Sequence, residues 1–389
     1  MYTAGEAYTA GEAYTAGKCI QCRHIVDLNH ISEPNMNYGM FIMPFHDPVK
    51  PAAQCHDEDL ELIVRCEELG FTEFWIGEHH TMKYENIVLP EAFIGKALAM
   101  THSIRLSTAP TCLPYHHPAH VASRLAFMDQ LSHGRLNLCF GPGSVTTDLE
   151  LYKIDPKLNS AMAAESAEMI LQIWSQDPPY HLKGRFWEID LEENVDRDTL
   201  IGYIHKPLQQ PHPPICAPGM SMNSSTMKLA GEKGWFPISA NISPGNVVAD
   251  NWRVYEQAAL ESGRTPDRKD WRVSRSIFLA DSNEEAEVKV RNNSLGRGFE
   301  YLGGLFDQGL GRKMLKRDPD MPDSECNLDY LMTEQIIHGD VDEVVRRLNL
   351  LREETGDFGT LILMGYDWDD KESWLRSMDL FVHEVIPRM

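Results

Sequence analysis

The chain has 389 residues, of which 42% are hydrophobic and 24% charged, the balance of a folded globular protein rather than a disordered, collagenous or fibrous one. Its 36 Lys and Arg stand against 58 Asp and Glu, a formal net charge of −22. That charge repels phosphate backbones and anionic lipid at long range, so neither nucleic acid nor a membrane surface is an expected partner.

No stretch reaches the ~20 apolar residues of a membrane helix, and the N-terminus lacks the basic-then-apolar order of a signal peptide, so a cytoplasmic protein is expected. The unit YTAGEA occupies positions 2–7 and 8–13, and a third copy begins at Tyr14 and ends in Gly17-Lys18. A six-residue unit is far below any solenoid period. With a Gly in each copy and few bulky apolar groups, it buries too little to offset its ordering entropy, and residues 1–35 are expected to form a disordered extension. Cys19 and Cys22, followed by His24 and His30, have ligand-like spacing, but no second ligand pair stands where a zinc site needs one. The eight Cys are scattered through helix-like and strand-like runs, which suits reduced core thiols.

From Tyr38 onward, short apolar runs alternate with longer segments of helical period, the pattern of repeated βα units. Strands are predicted over 38–43, 74–76, 105–109, 136–140, 215–217, 236–239, 272–279 and 360–364. Helices are predicted over 57–69, 90–100, 118–131, 161–174, 224–231, 244–262, 340–354 and 371–384. Leu62, Ile63, Cys66 and Leu69 share one face of the first helix, and Val121, Leu125, Met128 and Leu131 one face of the third. Gly70 and Gly134 read as helix stops, and Asp340 with Glu343 as a capping-box start. Eight strands, each followed by a helix, predict an α/β fold, a closed (β/α)8 barrel spanning 36–389. Residues 282–339 are then an insertion after the seventh strand, on the face where such barrels carry their chemistry. That makes it a candidate lid or, equally, a plain surface excursion. Residues 178–214 are expected on the opposite face, in a stabilising role.

The second strand runs into Gly77-Glu78-His79-His80, placing two imidazoles and a carboxylate at the catalytic mouth. This triplet suits acid–base work, metal ligation with a third ligand from His46, His116 or His117, or packing; side-chain alternation along a strand end argues against both imidazoles facing one ion. The reading taken has no metal.

The segments FIMPF at 41–45, WIGEHH at 75–80, LPYHHP at 113–118, DQLSHGR at 129–135 and PHPP at 211–214 together resemble the bacterial luciferase-like flavin-dependent monooxygenases, over the chain from Met36 onward. The PFH at 44–46 and the FGPGS turn at 140–144 look most like the limonene 1,2-monooxygenase branch. The resemblance implies reduced FMN, a diffusible co-substrate from a separate flavin reductase, bound at the barrel mouth. It implies O2 capture as a flavin hydroperoxide and transfer of one oxygen atom to a small hydrophobic substrate such as a monoterpene. It implies His79 as the acid–base group and Glu78 as the residue that orients it, with His80 packing or hydrogen-bonding in the barrel wall. It further implies a homodimer.

Asn223, Ser224, Ser225 and Thr226 open the helix after the fifth strand, where amide groups and hydroxyls suit a phosphate as readily as ordinary capping; family position favours the FMN phosphate. Gly141 and Gly143 flank Pro142 where many relatives have an Arg. The Ala109–Pro110 bond falls where this family often has a cis peptide, and it is predicted to be cis beneath the flavin. The same barrel also serves F420-dependent hydride transfer and flavin binding without turnover. Deleting residues 1–35 is expected to leave the activity unchanged in a product assay, and a lost activity would make the extension functional.

Overall fold

In the computed structural model, which describes residues 36–43, 45–308 and 311–389, the eight expected strands are present and close on one another. They are β1 (Asn37–Ile42), β2 (Glu73–Ile76), β3 (Arg105–Thr108), β4 (Leu136–Gly141), β5 (Ile215–Gly219), β6 (Phe236–Ser239), β7 (Arg272–Leu279) and β8 (Thr360–Met364). Each pairs in parallel with its neighbour in sequence, and β8 returns to β1 with Asn37 opposite Thr360 and Phe41 opposite Met364. The outer ring consists of α1 (Ala52–Glu68), α2 (Pro90–Leu98), α3 (Pro118–Leu131), α4 (Asn159–Ser175), α5 (Ser225–Lys233), α6 (Gly245–Glu261), α7 (Val341–Thr355) and α8 (Lys371–Leu380). The expected N-terminal extension and its Cys19–Cys22 pair lie outside the described residues.

Strand alternation divides the core in two. Trp75, Ala109, Cys139, Cys216, Ile238 and Ile362 point inward and form the lumen cluster, while Phe74, Leu106, Leu138, Phe140, Ile215 and Leu361 pack outward against the helices. The end of the lumen where the strands begin is closed by polar pairs. Arg272 donates to both Glu73 carboxylate oxygens at 3.1 Å, and Arg105 donates to Asn137 at 2.8 Å. Gln209, from the segment before β5, bonds Arg105, Asp129 and the Leu136 carbonyl at this same end, the expected stabilising place for that segment.

Local signals set most helix ends. Gly70 and Gly134 both stand at φ +81 just past α1 and α3. Asp340 accepts the Glu343 amide at 2.9 Å to start α7, although the Glu343 carboxylate turns to Arg346 instead of closing the box. Leu131 departs from expectation: it is exposed, because α3 turns Ala122, Ala126 and Asp129 toward the barrel. The six described Cys are all buried and free. No helix among the described residues is long and apolar enough to cross a membrane.

Periodicity did not reveal the interior of the two insertions. The first holds an antiparallel hairpin, Tyr180–Lys183 with Glu188–Leu191. The second is largely helical, with Asn283–Asn292, Ser294–Gln308 and Leu328–Glu334, and returns through Ile336–Gly339, which pairs in parallel with the far half of β7.

The Glu73–Arg272 pair generates a stability prediction. Glu73→Gln leaves a guanidinium charge in the lumen without its counter-ion, a loss of ~3 kcal/mol. Denaturant unfolding checks it, and an unchanged midpoint would mean that the pair contributes no net stability.

Candidate active site at the barrel mouth

Beyond Ile76 the β2 strand ends, and residues 77–80 run as loop. Strand alternation therefore stops before the Glu-His-His segment. Glu78 is buried and accepts three hydrogen bonds: His116 Nε2 at 2.6 Å, His80 Nε2 at 2.9 Å and the Cys112 amide at 2.9 Å. Burial alone would raise this carboxyl, but the hydrogen bonds from His116 and His80 outweigh it and bring it down to about 2. The expectation that Glu78 orients His79 is thus corrected: its carboxylate serves His80 and His116.

Glu78, His80 and His116 do bring three ligand-type atoms together. Their outer partners argue for hydrogen bonding over metal ligation. Arg124 Nη1 faces His116 Nδ1 at 3.4 Å and can only donate, while the Tyr152 hydroxyl lies 2.9 Å from His80 Nδ1. A metal-bound imidazole instead donates its outer N–H to an acceptor, which Arg124 cannot be. The His116 ring therefore carries its proton on Nε2, aimed at Glu78. His46 stands apart from this group, held by Asp59 and Asp367, and His117 serves as the N-cap position of α3.

His79 has different partners, which sequence reasoning missed. Its Nε2 lies 3.0 Å from Glu85 Oε2 and 2.8 Å from Met43 Sδ, and its Nδ1 lies 3.7 Å from Asp148 Oδ2. Nδ1 has no hydrogen-bond partner within range. Both carboxylates are nearly inaccessible, with side-chain exposures of 3% and 1%. Burial opposes charge on the ring, yet Glu85 and Asp148 outweigh it and push its pKa up to about 10. His79 is consequently an imidazolium at neutral pH, a proton donor in its resting form. The available signal for both carboxylates was their place after barrel strands, where such folds gather their chemistry.

The mouth is walled by aromatic rings. Tyr301, on the insertion helix Ser294–Gln308, stacks on Tyr84 at 4.3 Å and meets Phe45 edge-on at 5.7 Å. Phe45 in turn stacks on Tyr366 at 6.0 Å. The helix is tied down at its start by Ser294, which donates to the Asp367 carbonyl at 2.7 Å, and by Arg297, which pairs with Asp369 at 2.8 Å. Below it His46 bridges Asp59 at 3.0 Å and Asp367 at 2.6 Å, and Lys50 bonds Asp367 at 2.8 Å. Burial works against protonation of His46, but Asp367 and Asp59 push its pKa up to about 9.

Beside this wall, a cavity of about 400 Å³ opens between α4 and α5, lined by Leu113, Phe140, Gly141, Pro142, Ser160, Ser225, Thr226, Lys228 and Trp235 among others. The first turns of both helices face it. The Ala109–Pro110 bond is cis, as expected, and a Cβ on Gly141 would stand 2.7 Å from the Pro110 ring, so only Gly lets β4 pass this bond. Gly143, at φ +70, makes room for the Tyr115 ring and does not line the cavity. The expected phosphate quartet divides. Asn223 is committed to Asp250 and Arg253, and Ser224 caps α5 by accepting the Met227 amide. Ser225 and Thr226 line the cavity, joined by Lys228, a cation that the sequence reading did not single out.

The model of the family described as luciferase-like monooxygenase matches residues 36–357. The chain belongs to this family. The 4-hydroxyprotoasukamycin monooxygenase of Streptomyces nodosus subsp. asukaensis is 32% identical, the alignment covering 91% of this chain and 92% of that one. The limonene 1,2-monooxygenase of Rhodococcus erythropolis is 29% identical over 90% and 86% of the two chains. Among solved structures, a type II Baeyer–Villiger monooxygenase, the oxygenating constituent of 3,6-diketocamphane monooxygenase of Pseudomonas putida in complex with FMN, superposes with a TM-score of 0.82 at 30% identity. That match covers 91% of this chain and 99% of the other.

For this member of the luciferase-like family, the mouth charges predict a stability plateau. His46 and His79 have raised pKa values, so their contribution is full below ~6.5 and is lost as pH climbs through about 9 and about 10. Glu78 has a lowered value, so its contribution is full above ~4.5 and disappears as pH falls through about 2. Unfolding measured across pH is expected to show stability falling between ~7 and 10, and the His46→Gln variant a shallower alkaline decline; identical slopes would remove His46 from the cause.

Proposed function

We propose that the chain is the oxygenating component of a flavin-dependent monooxygenase that uses reduced FMN and O2 to add one oxygen atom to a small hydrophobic substrate of terpenoid type. The observation that carries this reading is the His79 imidazolium held between Glu85 and Asp148 at the mouth of a luciferase-like barrel. The relatives' names, limonene and diketocamphane monooxygenases, supply the substrate class. The description of one of them as an oxygenating constituent accords with a separate reductase as the source of reduced flavin. A homodimer accords with Phe127 and Leu131, exposed one turn apart on α3.

The residues present fit FMN. The cavity is of ligand size, two helix amino ends, three hydroxyls, Lys228 and, 3.8 Å from its ammonium, the Glu232 carboxylate line it, and the buried Thr111 hydroxyl, next to cis Pro110, has no partner. Ser160, Ser225, Thr226 and Lys228, with the free amides of α5, would hold the phosphate; Ala109, Pro110 and Gly141 would support the ring. Bound there in reduced form, the flavin supplies the activation of O2 and the oxygen atom transferred.

The chain supplies the setting. His79 holds a proton on Nε2 and Nδ1, ready to be given to a developing anionic oxygen, and Glu85 keeps the ring in place. Phe45, Tyr84 and Tyr301 exclude water and offer an apolar wall to the substrate, with the insertion 282–339 serving as the lid. His79→Ala is expected to bind FMN as wild type does while product formation falls ~10²-fold and O2 is diverted to hydrogen peroxide. Flavin titration, followed by O2 uptake and product analysis over a terpene panel, reads both quantities. Wild-type product yield from the variant would remove His79 from the chemistry.

A further inference from the structure

His79 lies behind aromatic rings, and its two carboxylates differ in what stands behind them. Glu85 is sealed: it is buried and faces Nε2 on the inside, near Tyr301, whose hydroxyl burial holds in its protonated form. Asp148 leads outward. Its Oδ1 accepts the Thr81 hydroxyl at 2.5 Å; Thr81 is exposed, and its hydroxyl lies 2.6 Å from that of Thr147, also exposed. Both Asp148 oxygens also face the His80 amide at 3.3 Å. The carboxylate is therefore held in place by the backbone as well as by Thr81. The Nδ1–Oδ2 separation of 3.7 Å is an ion-pair distance, longer than a hydrogen bond.

We propose that Asp148 is a positioning residue that holds Nδ1 of His79 and, through the hydroxyls of Thr81 and Thr147, connects it to solvent so that the ring regains its proton after each turnover. The proposal rests on the acid role given to His79 above. A proton reaches the Thr81 oxygen from water, directly or through the Thr147 hydroxyl. Thr81 passes its own proton to Asp148, and Asp148 delivers one to Nδ1, the nitrogen that gave up its proton while Nε2 kept its own against Glu85, restoring the imidazolium. Each hydroxyl gains one proton as it loses one, and the only net change is one proton taken from water.

The groups that face His79 are Glu85 and Asp148, with Tyr84 and Tyr301 beyond Glu85 and the Glu78, His80 and His116 group on the other side of the loop. Thr81, which bonds Asp148 directly, can be altered to interrupt the outward path without changing any charge. Thr81→Val should therefore slow hydrogen exchange at the His79 ring at least ~10-fold while leaving the pH at which the ring titrates unchanged. Asp148→Asn, which retains a partner for Thr81 and removes the charge, should lower that titration point by ~1–3 in pH.

Both are read by 15N–1H NMR of histidine-labelled protein without flavin, so the result does not depend on activity or on FMN. Single-turnover kinetics then ask whether the second turnover, but not the first, is slowed in Thr81→Val. Wild-type ring exchange in Thr81→Val overturns the path, as does an unmoved titration point in Asp148→Asn. If ring exchange slows as expected while product yield is indifferent to His79→Ala, the path stands and the acid role of His79 falls.

Discussion

Closure of β8 onto β1 is the constraint from which the rest of the molecule follows. With all eight strands paired on both edges, no backbone edge is left free, and each side chain must face either the lumen or the helical layer. Neither place tolerates a charge without a partner. The lumen end where strands begin answers with Glu73 on Arg272 and Asn137 on Arg105. At the other end the carboxylates collect beyond the strands: Glu78 and Glu85 after β2, Asp148 on the short helix Thr146–Leu151 after β4 and Asp367 after β8. The fold thereby concentrates buried acids within reach of the few imidazoles that can satisfy them.

The mouth loops are not independent of one another. His46 joins the loop after β1 to α1 through Asp59 and to the loop after β8 through Asp367, and Ser294 brings the insertion helix to that same loop. Tyr301 then reaches from the helix to Phe45 and Tyr84. An imidazole between two carboxylates is a rigid link only while it is charged, so the protonation of His46 bears on how firmly three loops and the insertion hold together. The same chemistry at His79 bears on reactivity. One residue type thus serves as brace and as acid, and the neighbours decide which.

The parts of this architecture legible in the sequence are those encoded by local chemistry. Periods of two and 3.6 revealed all eight strands and their helices, and Gly70, Gly134 and Asp340 marked real helix ends because positive φ and side-chain capping act within a few residues. What escaped was set at long range or depended on a boundary. Alternation was carried through Glu78, His79 and His80 as though β2 continued, but the strand stops at Ile76. Asp148 is 69 positions from His79, and nothing local distinguishes it from the other acids that follow barrel strands. Leu131 was placed on the buried face because the stripe was read with large side chains, whereas α3 approaches the barrel through Ala122 and Ala126.

The contrast between His79 and His80 has a simple electrostatic origin. Around His79 the count is two carboxylates to one imidazole, so a proton added to the ring gains from both negative charges, and the ring is held as a cation. Around Glu78 the count is inverted: two imidazole Nε2 atoms share one carboxylate oxygen, at 2.9 and 2.6 Å. The guanidinium of Arg124, itself paired with Glu91 at 2.9 Å, faces the outer nitrogen of His116. Two adjacent histidines on one short loop therefore meet inverted sets of partners without any difference in their own chemistry. That inversion leaves Glu78 as an anchor between the β2 exit and α3, and it leaves His79 as the mouth's resting proton donor.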